Sequence, residues 1–394
     1  MPAVTFILPM YRGEATLQGC LASLRDQRFR DWECIGVDDA SPDRSAEIFA
    51  AAAAGDGRLQ LVRHPSNQGV GAARATGLAR AQGFAVHLLD QDDHLNPEGV
   101  RLALRALRRD DSTPAVYGNF VATDTRTGHR RVYDEMPPSM DFRALLHGPQ
   151  FCPIAVLHRR STMEAAGGCT PGFDNCDDWD LWARMARLGP ALRHVPHVLG
   201  EWRIHAENNS RVTLRTFSSG LEVLERMHGP DPRVATPSPA WAAGADLGGK
   251  AERVLRFFWL QVANRVAHRD SDGALALAQE YVRRFGSEAL PVSSITHLDA
   301  AMPSARALAG ESGSTYVVDL YEFLEALLAD LERLLGQPGF ALGAMRALSQ
   351  EHVRRLAATN ERLASAVESY RTSRSYRIGR KIMSLANALT LRRQ

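Results

Sequence analysis

Phe84-Ala85-Val86-His87-Leu88-Leu89-Asp90-Gln91-Asp92-Asp93 is the stretch from which the chain is best read. The apolar run from Phe84 to Leu89 reads as a buried strand, and three carboxylates follow where it ends. Carboxylates gathered at a strand end repel one another unless a cation or a set of donors sits among them. The DxD spacing of Asp90 and Asp92 lets two carboxylates face one divalent ion, and hard oxygen ligands suit Mg²⁺ or Mn²⁺. The competing reading is a solvated acidic turn that caps a helix starting near Pro97.

Upstream, strand and helix signals alternate. Val4 to Leu8 is a short apolar run stopped by Pro9. A helical stripe of Leu17, Cys20, Leu21 and Leu24 lies within Ala15 to Asp26. Glu33 to Val37 reads as a second strand, ending at Asp38-Asp39, and Ser45 to Ala54 as an Ala-rich helix. Leu59 to Val62 is a third strand, Gly71 to Ala81 a helix and Phe84 to Leu89 the fourth strand. This βαβα order predicts an α/β fold with a mostly parallel sheet covered by helices on both faces. Ligands of such sheets gather at the carboxyl ends of the strands. Both acidic clusters, Asp38-Asp39 and Asp90 to Asp93, fall there.

From about Pro114 to Gly200 the pattern is mixed, with short strands, turns and one helix at Trp179 to Arg187. Residues 229–249 are rich in Pro, Gly and Ala and read as a linker. Beyond them the chain reads as mainly α-helical, with helices at Lys250 to Arg269, Gly273 to Arg284 and Val317 to Leu335. The last of these carries Leu320, Phe323, Leu324, Leu327, Leu328, Leu331 and Leu335 along one side. Val353, Leu356, Asn360, Leu363, Val367 and Tyr370 follow coiled-coil spacing over few heptads, which fits an ordinary packed helix or the seam of a homo-oligomer. Residues 371–394 are basic, with Ile378, Ile382, Leu385 and Leu389 as a stripe, so the tail reads as a peripheral membrane contact or a frayed terminal helix. The expected organisation is an α/β domain over 1–228, a linker over 229–249, a helical domain over 250–370 and a basic amphipathic tail over 371–394.

The bulk numbers exclude some classes. A net charge of +2 over 394 residues gives no argument for a nucleic-acid partner. No run of about 20 apolar residues reads as a membrane span. The N-terminus, Met1-Pro2-Ala3-Val4, has no basic region or cleavage site, which points to a cytoplasmic protein. The five cysteines, Cys20, Cys34, Cys152, Cys169 and Cys176, show no CxxC spacing. They predict neither a disulfide framework nor a structural zinc site.

Taken together, the motifs resemble the family 2 glycosyltransferases, which have the GT-A fold, over about residues 1–225. Val4 to Tyr11 resembles the family's first strand and its Pro-x-Tyr turn. Gly36-Val37-Asp38-Asp39-Ala40-Ser41 resembles VDDGS, and Asn67-Gln68-Gly69 with Ala73-Arg74 and Gly77-Leu78 resembles NxGxxxARNxGL. Leu89 to Asp93 matches the metal motif, Asp177-Asp178-Trp179-Asp180-Leu181-Trp182 resembles EDWDLW, and Trp202-Arg203-Ile204-His205 with Ser210 resembles the closing YRxH…S. The chain departs from the pattern at Arg12 and Gly13, where an Asn is usual, at Ala40 for Gly, at Thr76 for Asn, at Asp177 for Glu and at Cys169 for Phe.

The resemblance implies an inverting, metal-dependent transfer of a sugar from a nucleoside diphosphate donor to a hydroxyl of a glycan or lipid-linked glycan. Pro9, Tyr11 and Asp38 would hold the base and ribose, helped by Asp39 unless that residue is a helix cap. Arg74 would neutralise part of the diphosphate, and Asn67 and Gly69 would shape a loop for close backbone approach. Asp90 and Asp92 would take the ribose and the metal-bound diphosphate, and Asp93 would bind metal or orient the loop. His205 would be a third metal ligand or a diphosphate contact, with Arg203 beside it. Asp178 is the expected general base and Asp177 its local rival. The divalent metal, Mn²⁺ or Mg²⁺, is the expected cofactor. The basic tail would bring the protein to the inner face of the plasma membrane. Two rivals remain: a nucleotidyltransferase-like enzyme, disfavoured because Pro9 to Ala15 has one Gly and one Arg, and a catalytically inactive nucleotide-sugar-binding or assembly protein on the same fold.

Overall fold

The computed structural model describes residues 1–148, 151–173, 175–205, 208, 214–267, 270–298 and 315–348. Ser210, the segment 353–370 and the basic tail 371–394 lie outside the described residues, as does the side chain of Leu320.

The first strands are β1 (Val4–Met10), β2 (Trp32–Asp38), β3 (Leu59–Arg63) and β4 (Ala85–Leu88). Between them run α1 (Leu17–Arg25), α2 (Ser45–Ala54) and α3 (Val70–Leu78). The strands pair in parallel in the order β3-β2-β1-β4. Along β1, Val4, Phe6, Leu8 and Met10 join the apolar cluster on one face, and Ile7 joins the cluster on the other. A strand apolar on both sides needs cover on both sides, and α1 with its buried Leu17, Cys20, Leu21 and Leu24 supplies part of it.

β1 does not stop at Pro9, as the sequence suggested, but runs to Met10. The Ile7 carbonyl accepts from Leu89 on the β4 side, and the Met10 carbonyl accepts from Asp39 on the β2 side. Alternation therefore aims the missing N–H of Pro9 toward β4, beyond the last paired residues, Ile7 and Leu88. The proline removes no ladder hydrogen bond there.

The mixed region is more regular than expected. It holds β6 (Ala115–Asp124) and β10 (Leu192–Ile204), strands of 10 and 13 residues. With β5 (His94–Leu95), β7 (Arg130–Tyr133), β8 (Ser139–Met140) and β9 (Val156–Arg159) they complete a ten-stranded sheet in which the main path continues β4-β9-β6-β10-β5. β9 is antiparallel to both its neighbours, and β10 is parallel to β6. Pro196 and Gly200 break the sequence signal of β10, and the strand absorbs them through register shifts between Val195 and Val198 and between Val198 and Gly200. α4 (Gly99–Leu107) precedes this region, and three helices fall within it: α5 (Phe142–Leu145), α6 (Arg160–Ala165) and α7 (Asp177–Ala186).

Beyond the sheet come α8 (Leu214–Met227), α9 (Lys250–Ala267), α10 (Ser271–Phe285), α11 (Thr315–Leu335) and a further helix at 340–348. Leu324, Leu327, Leu328, Leu331 and Leu335 of α11 are buried. One apolar cluster runs without a break from Ile7 under the sheet to Leu348 in the helices. The Pro- and Gly-rich segment 229–249 is held on this body. Arg187 donates to the carbonyls of Arg226, Gly229 and Trp241 at 2.7–2.8 Å, and Val234 and Ala245 are buried. Among the described residues, no helix is long and apolar enough to cross a membrane.

Candidate active site

The carboxyl ends of β1, β2 and β4 lie side by side, so the loops that follow them share one edge of the sheet. Tyr11, 39% exposed, leaves β1 beside the buried Pro9. The side-chain amide of Gln91 clasps its backbone: the Tyr11 N–H donates to Gln91 Oε1 at 3.0 Å, and Gln91 Nε2 donates to the Tyr11 carbonyl at 2.8 Å. The variable x of the DxD spacing thus ties the first loop to the fourth.

Three non-glycine residues with left-handed backbone border these carboxylates and loops: Arg12 at φ 55°, Ala40 at 56° and Cys176 at 61°. A side chain in that conformation costs about 1–2 kcal/mol. Arg12 and Ala40 are two of the positions where the sequence departs from the family pattern. The usual Asn and Gly are residues that tolerate this backbone, so each departure stores strain beside the site.

Asp38 and Asp39 are both buried but face different ways. Asp38 Oδ1 accepts from Ser41 N–H at 3.2 Å, and its Oδ2 lies 3.8 Å from Arg63. Asp39 turns to the next loop, where it accepts from the N–H groups of Gln68 and Gly69 at 2.8–3.1 Å. It also meets His64 Nδ1 at 2.6 Å, and His64 Nε2 meets Thr76 Oγ1 at 2.9 Å. Asp39 therefore holds the start of α3, where Gly69 takes φ 88°, and shapes the loop that carries the exposed Asn67.

Arg74 is placed differently from the expectation. Its side chain is 4% exposed and spans two acids, donating to Asp177 Oδ2 at 2.7 Å and to Asp90 Oδ1 at 2.6 Å. Both terminal nitrogens are thus occupied by aspartates. Burial works against its charge, but Asp177, Asp90 and Asp178 outweigh burial and raise its pKa above the ordinary arginine value. At Asp90, burial and the nearby Asp92 raise the pKa, while Arg74 opposes them.

Asp92 and His205 form the second unit. His205 Nε2 stands 2.8 Å from Asp92 Oδ2. Asn208 Nδ2 donates to the same carboxylate oxygen at 3.0 Å and to the Arg203 carbonyl at 3.1 Å, and the Asn208 side chain accepts from the His205 N–H. Asp93 is buried, and burial with the charges of Asp92 and Asp90 raises its pKa well above the carboxylate range. Its Oδ1 accepts from the backbone N–H of Arg203 at 2.9 Å, so Asp93 fastens β10 to the loop. The Arg203 guanidinium points to His94, 3.4 Å away.

The third unit is the first turn of α7. Trp179 and Trp182 anchor this helix in full burial. Trp179 Nε1 donates to the Leu145 carbonyl and Trp182 Nε1 to His158 Nε2, at 2.8 and 2.9 Å. Buried tryptophans of this kind are worth about 3–5 kcal/mol each against alanine. Asp177 is taken by Arg74. Asp178 keeps part of its surface open, accepts from the Trp179 N–H at 2.7 Å, and has no cation bound to it among the described contacts. Burial of its carboxyl group and the neighbouring charge of Asp177 push its pKa up to about 7.

Among the described residues, no three His, Cys, Asp or Glu side chains cluster as a ready metal cage. Asp90, expected beside Asp92 and His205 as a ligand, gives its Oδ1 to Arg74 and keeps its side chain 31% exposed. A carboxylate and an imidazole within 3 Å, both partly open to solvent, still fit a divalent ion that completes its shell with water and substrate phosphate oxygens. Gln91, His64 and Asn208 were not singled out from the sequence. Gln91 sits inside the motif itself, whereas His64 and Asn208 carry no spacing signal.

The comparisons bear on the family and the fold. The model of glycosyl transferase family 2 matches residues 5–163. EpsH of Bacillus subtilis (strain 168) is 30% identical over 235 residues, covering 57% of this chain and 67% of EpsH. Chondroitin synthase of Escherichia coli is 28% identical, covering 53% of this chain and 30% of the synthase, so the chain spans well under half of that relative. Among solved structures, residues 1–349 of S. aureus TarS, in complex with UDP-GlcNAc, align with a TM-score of 0.55 at 15% identity. That alignment covers 79% of this chain and 91% of the TarS chain, and shows a shared fold. The parallel β3-β2-β1-β4 core, the acids at its carboxyl edge and these matches lead to one assignment: the chain belongs to glycosyl transferase family 2 and is a glycosyltransferase of the GT-A fold.

Proposed function

We propose that the protein is an inverting, divalent-metal-dependent glycosyltransferase that moves a sugar from a nucleoside diphosphate to a hydroxyl of a glycan or lipid-linked glycan. The observation that carries this reading is the division of labour between Asp177 and Asp178. Arg74 engages the first, while the second is left without a cation and with a pKa near neutrality. Adjacent acids whose environments push them apart mark a general base and its support. Asp178 takes the proton of the acceptor hydroxyl as that oxygen attacks the anomeric carbon. The bond from that carbon to the diphosphate oxygen breaks in the same step, so the configuration inverts.

Pro9, Tyr11 and Asp38 hold the base and ribose beside the loops that Gln91 and Asp39 tie down. Asp92 and His205 would hold the metal, oriented by Asn208, and the bound ion would neutralise charge on the leaving diphosphate. Asp90 receives the donor between that pair and Arg74. A nucleotide-sugar donor is supported by the UDP-GlcNAc complex of TarS, and a polysaccharide acceptor by the name of the chondroitin synthase relative. In this reading residues 1–228 are the transferase domain, 250–370 a helical domain and 371–394 a tail that docks at the inner face of the plasma membrane.

The test is a thermal-shift screen of UDP, GDP and dTDP, each with and without Mn²⁺. A shift with one nucleotide that grows with metal is expected. The absence of a shift with every nucleotide would overturn the reading.

A further inference from the structure

Asp180 lies one turn into α7, beyond the two candidate base residues, and is 2% exposed. It is the hub of a buried network. Arg233 grips it with both ends of its guanidinium, Nη1 to Oδ2 and Nη2 to Oδ1, each at 2.8 Å. Arg233 is itself held by Asp231, through Nε at 2.9 Å and Nη2 at 2.6 Å. Arg184 donates to Asp180 Oδ2 at 2.9 Å. Both arginines reach Thr170 Oγ1, at 3.0 Å from Arg233 and 3.1 Å from Arg184. The backbone of Thr170 lies where a Cβ on Gly71 would collide with it, so the same loop presses on the start of α3, the helix that carries Arg74. At the other end of α7, Arg187 binds the carbonyls of Arg226, Gly229 and Trp241.

We infer that Arg233 is a positioning residue for the base helix, and that the segment 229–245 works as a buttress fixing where Asp178 stands relative to the donor. The bidentate pair fixes both the place and the rotation of α7, which a point charge would not do. Arg233 of the segment holds the N-terminal part of α7, and Arg187 at the other end of the helix reaches back to the Gly229 and Trp241 carbonyls of the same segment, so α7 has little freedom to slide or turn. A helix shift of about 1 Å would take a general base out of reach of its proton, at a cost of about 100-fold in rate. This inference rests on Asp178 being the base.

The test uses the full chain. Arg233→Met alone leaves Asp231 buried without its cation and risks misfolding, so the informative variant is Asp231→Asn with Arg233→Met. That pair removes one charge of each sign and leaves Asp180 with Arg184. Turnover is measured per nucleotide-binding site, counted by titration, across a range of pH, with Asp178→Asn run in parallel. The expected result is an unchanged donor Kd, a kcat lowered about 10- to 100-fold and a flattened acid limb of the pH profile. A kcat within twofold of the parent would overturn the inference, as would a parallel loss of donor binding, which marks general destabilisation. Full turnover by Asp178→Asn would instead overturn the base assignment, and is read separately.

Discussion

The donor edge and the base helix hold their acids in opposite ways. At the donor edge, Asp38, Asp39 and Asp93 are satisfied largely by backbone N–H groups, and Asp92 by a histidine and an asparagine. At the base helix, Asp177 and Asp180 are held by arginines, of which Arg74 and Arg184 are buried and Arg233 is partly exposed. Backbone donors fix a carboxylate without adding charge, which leaves room for a cation and a diphosphate. Arginines fix position and offset charge together, and that lets one acid, Asp178, stand apart from its neighbours. Arg74 joins the two regions by spanning Asp90 and Asp177.

The sharpest way to break this comparison is Asp178→Asn. Transfer should fall by about 10²–10⁴-fold while nucleotide affinity stays unchanged, measured by product formation and calorimetry. On the proposed mechanism Asp178 works as the carboxylate. With its pKa pushed up to about 7, the rate should plateau above that pH and fall below it, and the acid limb should vanish in the variant. Next is Arg74→Met, which leaves Asp177 and Asp90 facing each other without their cation. It should cost about 3–5 kcal/mol of stability in chemical denaturation. A loss below 1 kcal/mol would mean that the two regions are not coupled through this residue.

Asp92→Ala should lower metal-supported nucleotide affinity about 10- to 100-fold and leave metal-free affinity unchanged, which isolates the donor edge. His87 and His158 sit in the core behind both regions, and burial depresses their pKa values to about 4 and 3. The unfolded chain therefore binds protons first, and stability should be full above about pH 6.5 and fall below it. The slope is about 1.4 kcal/mol per pH unit for each histidine, read from urea midpoints. The smallest effect is Ala40→Gly. Relief of left-handed strain, less the added chain entropy, should stabilise the protein by about 0.5 kcal/mol. A destabilisation would show that the Ala40 methyl packs usefully at the donor edge.

The same contrast explains what the sequence made legible. The donor edge is written locally: apolar runs announce β1, β2 and β4, and acids close β2 and follow β4 within a residue or two. Strand pairing then brings those loops together without further information. The base helix is written at long range. Arg74 meets Asp177 across 103 residues and Arg233 meets Asp180 across 53, and no spacing rule connects them. Asp177 and Asp178 stood out as acids, but their different roles follow from a partner that sequence alone assigned elsewhere. The long strand β10 was hidden for another reason: Pro196 and Gly200 look like breaks until the register shifts are seen.

The place of β10 in the sheet has a consequence for synthesis. β5 pairs with β10, Asp93 is fastened by Arg203, and Asp92 meets His205, so the loop after β4 is completed by residues made about a hundred positions later. An emerging chain that ends before this strand carries all the motif acids of the donor edge but lacks the partners that arrange them. Closing so distant a pairing is among the slow events of folding. The nucleotide site proposed above is therefore assembled late, and donor recognition there would itself report that the sheet has closed.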